Sequence, residues 1–191
     1  MCTFEEVKKI EKIFTKNKKN LSILHCTSLY PCPANECNLL SIKFMKKNLK
    51  SKIGFSDHTE GIDASVAAVA MGAEVIEKHI TLKKEMKGPD HKASLNKSEF
   101  QTMVKRIRCL EAMIGKEKKE PTNTEKKNIR LIRRGLVYKR DFNKGKMIKK
   151  NDIEIKRPML GLCPDEKKII IGKILNRKVL RDQPILKKHF I

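Results

Sequence analysis

Gly54-Phe55-Ser56-Asp57-His58-Thr59 closes one short apolar run, and Val75-Ile76-Glu77-Lys78-His79 closes the next. Both runs are strand-length. Side chains alternate along a strand, so Ser56 and His58 share one face, as do Glu77 and His79. Between the runs, Gly61 to Met71 is alanine-rich and long enough for a helix. A strand, a helix and a strand within about thirty residues make a βαβ unit, whose strands are parallel neighbours. The two histidines then stand at adjacent strand ends, the side on which parallel α/β folds place their chemistry. Neutral imidazoles converging there suit a divalent metal with open positions. A single histidine at a strand end is more often a hydrogen-bonded structural residue, so it is the matched pair that carries this reading. No CxxC or HExxH pattern accompanies it.

Outward from this unit the pattern continues. Phe4, Val7, Ile10, Ile13 and Phe14 recur at helical spacing. Leu21 to Cys26 reads as a strand, followed by the loop Thr27-Ser28-Leu29-Tyr30-Pro31-Cys32-Pro33. Asn35 to Met45 reads as a helix with Leu39, Ile42 and Met45 on one face. Lys83 to Ser94, with Gly88-Pro89-Asp90-His91-Lys92, is a long polar loop of the kind that carries function above a strand end. Asn96 and Glu99 form a capping box that opens a helix to about Gly115, with Phe100, Val104, Ile107, Leu110 and Ile114 inward. The order α-β-α-β-α-β-α fits the closing portion of a (β/α) barrel or an open α/β sheet. Lys116 to Asn128 is polar and aperiodic and reads as a linker. From Ile129 the texture changes to short strand pieces and turns: Gly135 to Tyr138, the turn Asn143 to Lys146, Ile153 to Ile155, and Ile169 to Gly172. The expected division is therefore 1–115, a linker at 116–128, and a small β-rich domain at 129–191.

Net charge is +22 over 191 residues, which raises the question of a polyanion partner. The lysines are spread over every segment, there is no Trp and there are two Tyr, so no aromatic platform for bases is visible. No run of about 18 apolar residues suggests a membrane span. Met1 to Glu6 has neither the basic nor the apolar region of a signal peptide. The six cysteines lack zinc spacing and read as reduced thiols, so a cytoplasmic protein is expected.

Five ordered motifs carry a family resemblance: Leu24-His25-Cys26-Thr27-Ser28-x-Tyr30-Pro31, Gly54 to Thr59, Glu77-Lys78-His79, Gly88 to Lys92, and Lys156-Arg157-Pro158. Together the chain resembles the sialic acid synthase family, and its tail resembles that family's SAF, or antifreeze-like, domain. The resemblance implies a (β/α)8 TIM barrel joined to the small domain. It implies condensation of phosphoenolpyruvate with an N-acetylated mannosamine-type aldose, with release of phosphate. It implies Mn2+ or Mg2+ bound by His58 and His79, and a phosphoenolpyruvate contact from Ser56. Ser28 and Tyr30 would belong to the sugar-binding loop, and Asp90 would hold sugar hydroxyls. Arg157 would reach the sugar's N-acetyl group from the partner of a domain-swapped homodimer. Asp90 and His79 are the expected catalytic pair; Glu77 has a lesser claim, and His25 and His91 read as supporting residues. Met1 to Val7 resembles the segment after the family's fifth barrel strand. The expectation is thus an incomplete barrel, inactive by itself, whose other strands come from elsewhere. Two further readings stay open: a remnant or binding module in which only the SAF-like tail folds, and a basic nucleic-acid-binding protein, which would show steeply salt-dependent retention.

Overall fold

Local alternation and capping resolve into a three-stranded parallel sheet in the computed structural model, which describes residues 1–14 and 20–191. The chain divides into two units, Met1–Glu117 and Lys118–Ile191.

In the first unit α1 (Phe4–Ile13) precedes β1 (Ser22–Cys26), α2 (Leu40–Asn48), β2 (Lys52–Asp57), α3 (Asp63–Ala70), β3 (Val75–Lys78) and α4 (Lys97–Ile114). The strands lie in the order β1-β2-β3, all parallel. Register pairs Cys26 with Ser56, Ser56 with Glu77, and Asp57 with Lys78. His58 and His79 therefore each follow a paired position by one residue. Gly54 permits this spacing: a Cβ there would lie 2.7 Å from the Val75 carbonyl oxygen. The sheet is open among the described residues, and three strands do not close a barrel. The core lies between sheet and helices. Ile53 and Phe55 of β2 meet Ile42 and Met45 of α2 and Ala68 of α3, with Phe4, Val7, Ile23 and Ile76 packed against them.

Capping boxes open α1 (Thr3, Glu6) and α4 (Asn96, Glu99), each joining a side chain to a backbone N–H in both directions. Three helical expectations are corrected. The helix predicted from Asn35 starts at Leu40, because Ala34–Glu36 is a single 3-10 turn and Asn38 takes a left-handed φ of 43° that interrupts it. On α4 the buried residue is Met103; Val104 and Ile114 are exposed, because the stripe against α3 runs through 100, 103, 107 and 110. On α1, Phe4 and Val7 reach the core, while Ile10, Ile13 and Phe14 are exposed.

The second unit holds α5 (Asn123–Ile132), β4 (Gly135–Tyr138), β5 (Ile153–Lys156) and the single turn α6 (Lys167–Ile170). β4 and β5 pair antiparallel, Gly135 with Lys156 and Tyr138 with Ile153. Isolated bridges, such as Phe142 with Val179 and Leu175 with Phe190, wrap the remaining chain around a core of Leu136, Tyr138, Ile148, Ile170, Leu175, Val179 and Ile185. Two expectations change here. Part of the stretch read as a linker is α5, which the Thr122–Glu125 capping box opens and which carries Ile129, Leu131 and Ile132. Ile169 to Gly172 is no strand: Pro164 begins a 3-10 turn that runs into α6, so Ile170 is buried and Ile169 and Ile171 are exposed. A short apolar run has no period that separates the two states. Among the described residues no helix is long and apolar enough to cross a membrane.

Candidate functional site at the ends of the parallel strands

The site forms where β2 and β3 run out. The rings of His58 and His79 have centroids 5.5 Å apart at an interplanar angle of 81°. The loop after β1 returns over them, because the Cys32 N–H donates to the His58 carbonyl at 2.8 Å. That places the Tyr30 ring 5.3 Å from His58 and 4.5 Å from His79. The Tyr30 hydroxyl lies 3.2 Å from both the Asp90 carbonyl oxygen and Ser94 Oγ, which ties the first loop to the loop 83–95. Ser94 itself donates to the Asp90 carbonyl at 2.6 Å.

A hydrogen bond fixes how the His58 imidazole is presented. His58 Nδ1 is 3.1 Å from the Thr27 carbonyl oxygen, which can only accept, so Nδ1 carries a proton, and in the neutral ring the lone pair is then on Nε2. Cys26 Sγ lies 3.8 Å from the same nitrogen. His79 Nδ1 faces the Asp90 carboxylate, with Oδ2 at 3.6 Å. Half-exposed, the Asp90 carboxylate also keeps acceptor capacity for another ligand. Two imidazole nitrogens suit a divalent cation that takes its other positions from oxygen donors. Among the described residues no group of three or more His, Cys, Asp and Glu side chains is arranged to hold a metal.

The remaining expected residues fall in different places. Ser56 is buried, and its hydroxyl donates to Glu77 Oε1 at 2.6 Å, across the register pair. Its proton is thus committed to Glu77, while its lone pairs stay available. Ser28 is exposed and lines a cleft of about 600 Å³ beside α1 and β1, with Phe4, Ile10, Leu24 and Phe44. Arg157 is exposed just after β5 in the second unit. His25 donates to the Cys37 carbonyl at 3.0 Å and stacks on Phe55, and His91 bonds Thr81 Oγ1 at 2.8 Å. Both act as supports. Burial raises the Cys32 thiol and pushes Cys37 up to about 11, so neither is a nucleophile near neutral pH. All six thiols are free.

Ser94 and the ion pair of Asp57 with Lys78 were missed by sequence reasoning. The signal for the pair was present. If His58 and His79 face one side, the residues before them face the other, and these carry opposite charges at matched positions.

The NeuB family model matches residues 1–119, and the SAF domain model matches residues 133–191. Over 188 residues the chain is 39% identical to the N,N'-diacetyllegionaminic acid synthase of Campylobacter jejuni, covering 97% of this chain and 56% of that protein. It is 32% identical over 191 residues to human N-acetylneuraminate-9-phosphate synthase, covering 98% of this chain and 53% of that one. Among solved structures, the N-acetylneuraminic acid synthetase of Leptospira borgpetersenii superposes with a TM-score of 0.63 at 34% identity, over 68% of this chain and 45% of that chain. The chain spans about half the length of the curated relatives it matches.

Proposed function

The chain belongs to the NeuB family and ends in a SAF domain, and from that premise we propose that it supplies the metal-binding face of a nonulosonate synthase of the sialic acid type. The reaction is condensation of phosphoenolpyruvate with N-acetylmannosamine or a related aldose, with release of phosphate. The observation that carries the reading is the pair of imidazoles at adjacent parallel strand ends, with ring centroids 5.5 Å apart. The names of the relatives support it, since legionaminic, pseudaminic and neuraminic acid synthases all appear among them. A buried core of its own in Met1–Glu117 speaks against a protein in which only the SAF domain folds.

His58 and His79 would hold a divalent cation of the Mn2+ or Mg2+ type, which when bound supplies Lewis acidity to the sugar aldehyde. Tyr30 packs against both rings and restricts their rotation. Asp90 accepts hydrogen bonds from sugar hydroxyls and orients His79. Ser56, whose hydroxyl donates to Glu77 in this structure, would reach phosphoenolpyruvate by turning that proton to one of its anionic oxygens. Ser28 extends the sugar-binding loop, and Arg157, always charged and planar, recognises an amide oxygen from the partner of a domain-swapped dimer. Two domains, the second of which includes α5 rather than starting at 129, and a cytoplasmic setting belong to the same proposal. So does the requirement for further strands beside β1, whose outer edge is unpaired among the described residues.

Two measurements test this. Mn2+ binding, followed by loss of the free-ion EPR signal, is expected to fall in His58→Ala and His79→Ala by more than the roughly ten- to hundredfold that an outer partner contributes. Equal binding by both variants and the wild type refutes the metal assignment. Phosphate release from phosphoenolpyruvate and N-acetylmannosamine is expected to be absent with the purified chain, and turnover would refute the need for further strands.

A further inference from the structure

Behind the two histidines lies a buried ion pair. Asp57 precedes His58 on β2, Lys78 precedes His79 on β3, and the register sets them side by side. Their side chains are 0% and 1% exposed, with Lys78 Nζ 3.1 Å from Asp57 Oδ2. Asp57 is saturated. Oδ1 accepts from the Thr59 N–H at 2.8 Å and the Thr59 hydroxyl at 2.7 Å, and Oδ2 also accepts from Ser65 Oγ at 2.5 Å. Lys78 makes a second bond, donating to the Thr59 carbonyl. The peptide joining His58 to Thr59 is thus held at both ends, its oxygen by Cys32 N–H and its nitrogen by Asp57.

A buried ion pair is weak evidence for stability. Burying two charges costs desolvation that their attraction repays only in part, and an uncharged pair of similar volume is often no less stable. What the pair does supply is direction. The same two side chains join β2, β3 and the turn at Thr59, and a histidine leaves each strand immediately afterwards.

We infer that Asp57 and Lys78, with Thr59 as their crosspiece, are positioning residues that hold the His58 ring against Thr27 and aim it toward His79. The inference rests on the reading of those histidines as ligand donors. Neither Asp57 nor Lys78 touches a substrate.

The test uses the 191-residue chain. Long-range 15N–1H spectra of the histidine rings report the tautomer without any metal present, and an Mn2+ titration reports ligation. Asp57→Asn/Lys78→Met removes both charges at nearly constant volume and leaves no buried charge unpaired. The wild type is expected to show His58 as the Nδ1–H tautomer. The folded double variant is expected to populate both tautomers and to bind Mn2+ about ten- to hundredfold more weakly. An unchanged tautomer and unchanged Mn2+ affinity in that variant overturn the inference. If it fails to fold, Thr59→Val decides: it loses only the hydroxyl bond to Asp57, a mixed tautomer supports the clamp, and a wild-type spectrum overturns it. Should the wild type bind no Mn2+, the metal reading fails, and the ring spectra still decide the clamp.

Discussion

Glu11 is the residue whose loss should most clearly weaken the first unit. It sits on the inner side of α1, 8% exposed. Its Oε1 accepts from the Lys50 N–H and the Ser51 N–H, both at 2.8 Å, and from the Ser51 hydroxyl at 2.7 Å. One carboxylate therefore ties α1 to the turn between α2 and β2, forty residues away in sequence for Ser51. A hydrogen bond to a charged group contributes about 1.5–3 kcal/mol, and removing the acceptor leaves buried donors unmet. Three bonds on one oxygen share a single desolvation cost and do not add, so Glu11→Ala is expected to cost about 3–4 kcal/mol. With a urea dependence of about 2 kcal/mol/M, the midpoint should fall by about 1.5–2 M. The assay follows from composition. There is no Trp, and the two tyrosines, Tyr30 and Tyr138, fall one in each unit. In a Tyr138→Phe background, Tyr30 fluorescence reports the first unit. Glu11→Gln keeps one oxygen but not the charge, and should lose about half as much. A midpoint shift for Glu11→Ala below about 0.3 M would refute the argument that this carboxylate anchors the helix.

Two further outcomes follow from the pKa shifts. In the second unit, burial first, and then the charges of Arg177 and Lys188, hold the His189 imidazole below its ordinary 6.5. Its Nδ1 accepts from the Leu186 N–H and faces the Tyr138 hydroxyl at 3.2 Å, so the neutral ring is the one that fits. As pH falls through 6.5 the unfolded chain takes up the proton first, so this unit should lose stability between 6.5 and the lowered folded value. Urea midpoints read from Tyr138 in a Tyr30→Phe background should show that slope, and His189→Gln should flatten it. In the first unit, Cys32 and Cys37 are buried and shifted upward, whereas Cys2 and Cys109 are exposed. Brief iodoacetamide treatment at pH 8 should therefore label Cys2 and Cys109 and spare Cys32 and Cys37 by mass spectrometry; prompt labelling of Cys37 would contradict its burial.

Much of the first unit was legible because its signals are local. Alternation placed Ser56 with His58 and Glu77 with His79, and β2 and β3 pair as that predicts. The capping box at Asn96 marked where α4 begins, since the bonds that open a helix lie within four residues. The same kind of signal at Thr122 was present but was outweighed by the polarity of its surroundings. Ile169 to Gly172 could not be assigned, because a run that short has no period of its own.

What the tertiary structure alone decided is which side chains meet across long separations. The sequence determined that two histidines end two strands. The register and the return of the Tyr30 loop determined that their rings lie 5.5 Å apart with Tyr30 against both. In the sequence neither Glu11 nor the Lys78 side chain was assigned a role. Each became a buried anchor only when distant backbone and an opposite charge came within 3.1 Å of it. A residue's own chemistry and its neighbours' spacing are written along the chain. Whether water or a partner surrounds it depends on packing, and burial is what turns an ordinary surface charge into a fixed structural contact.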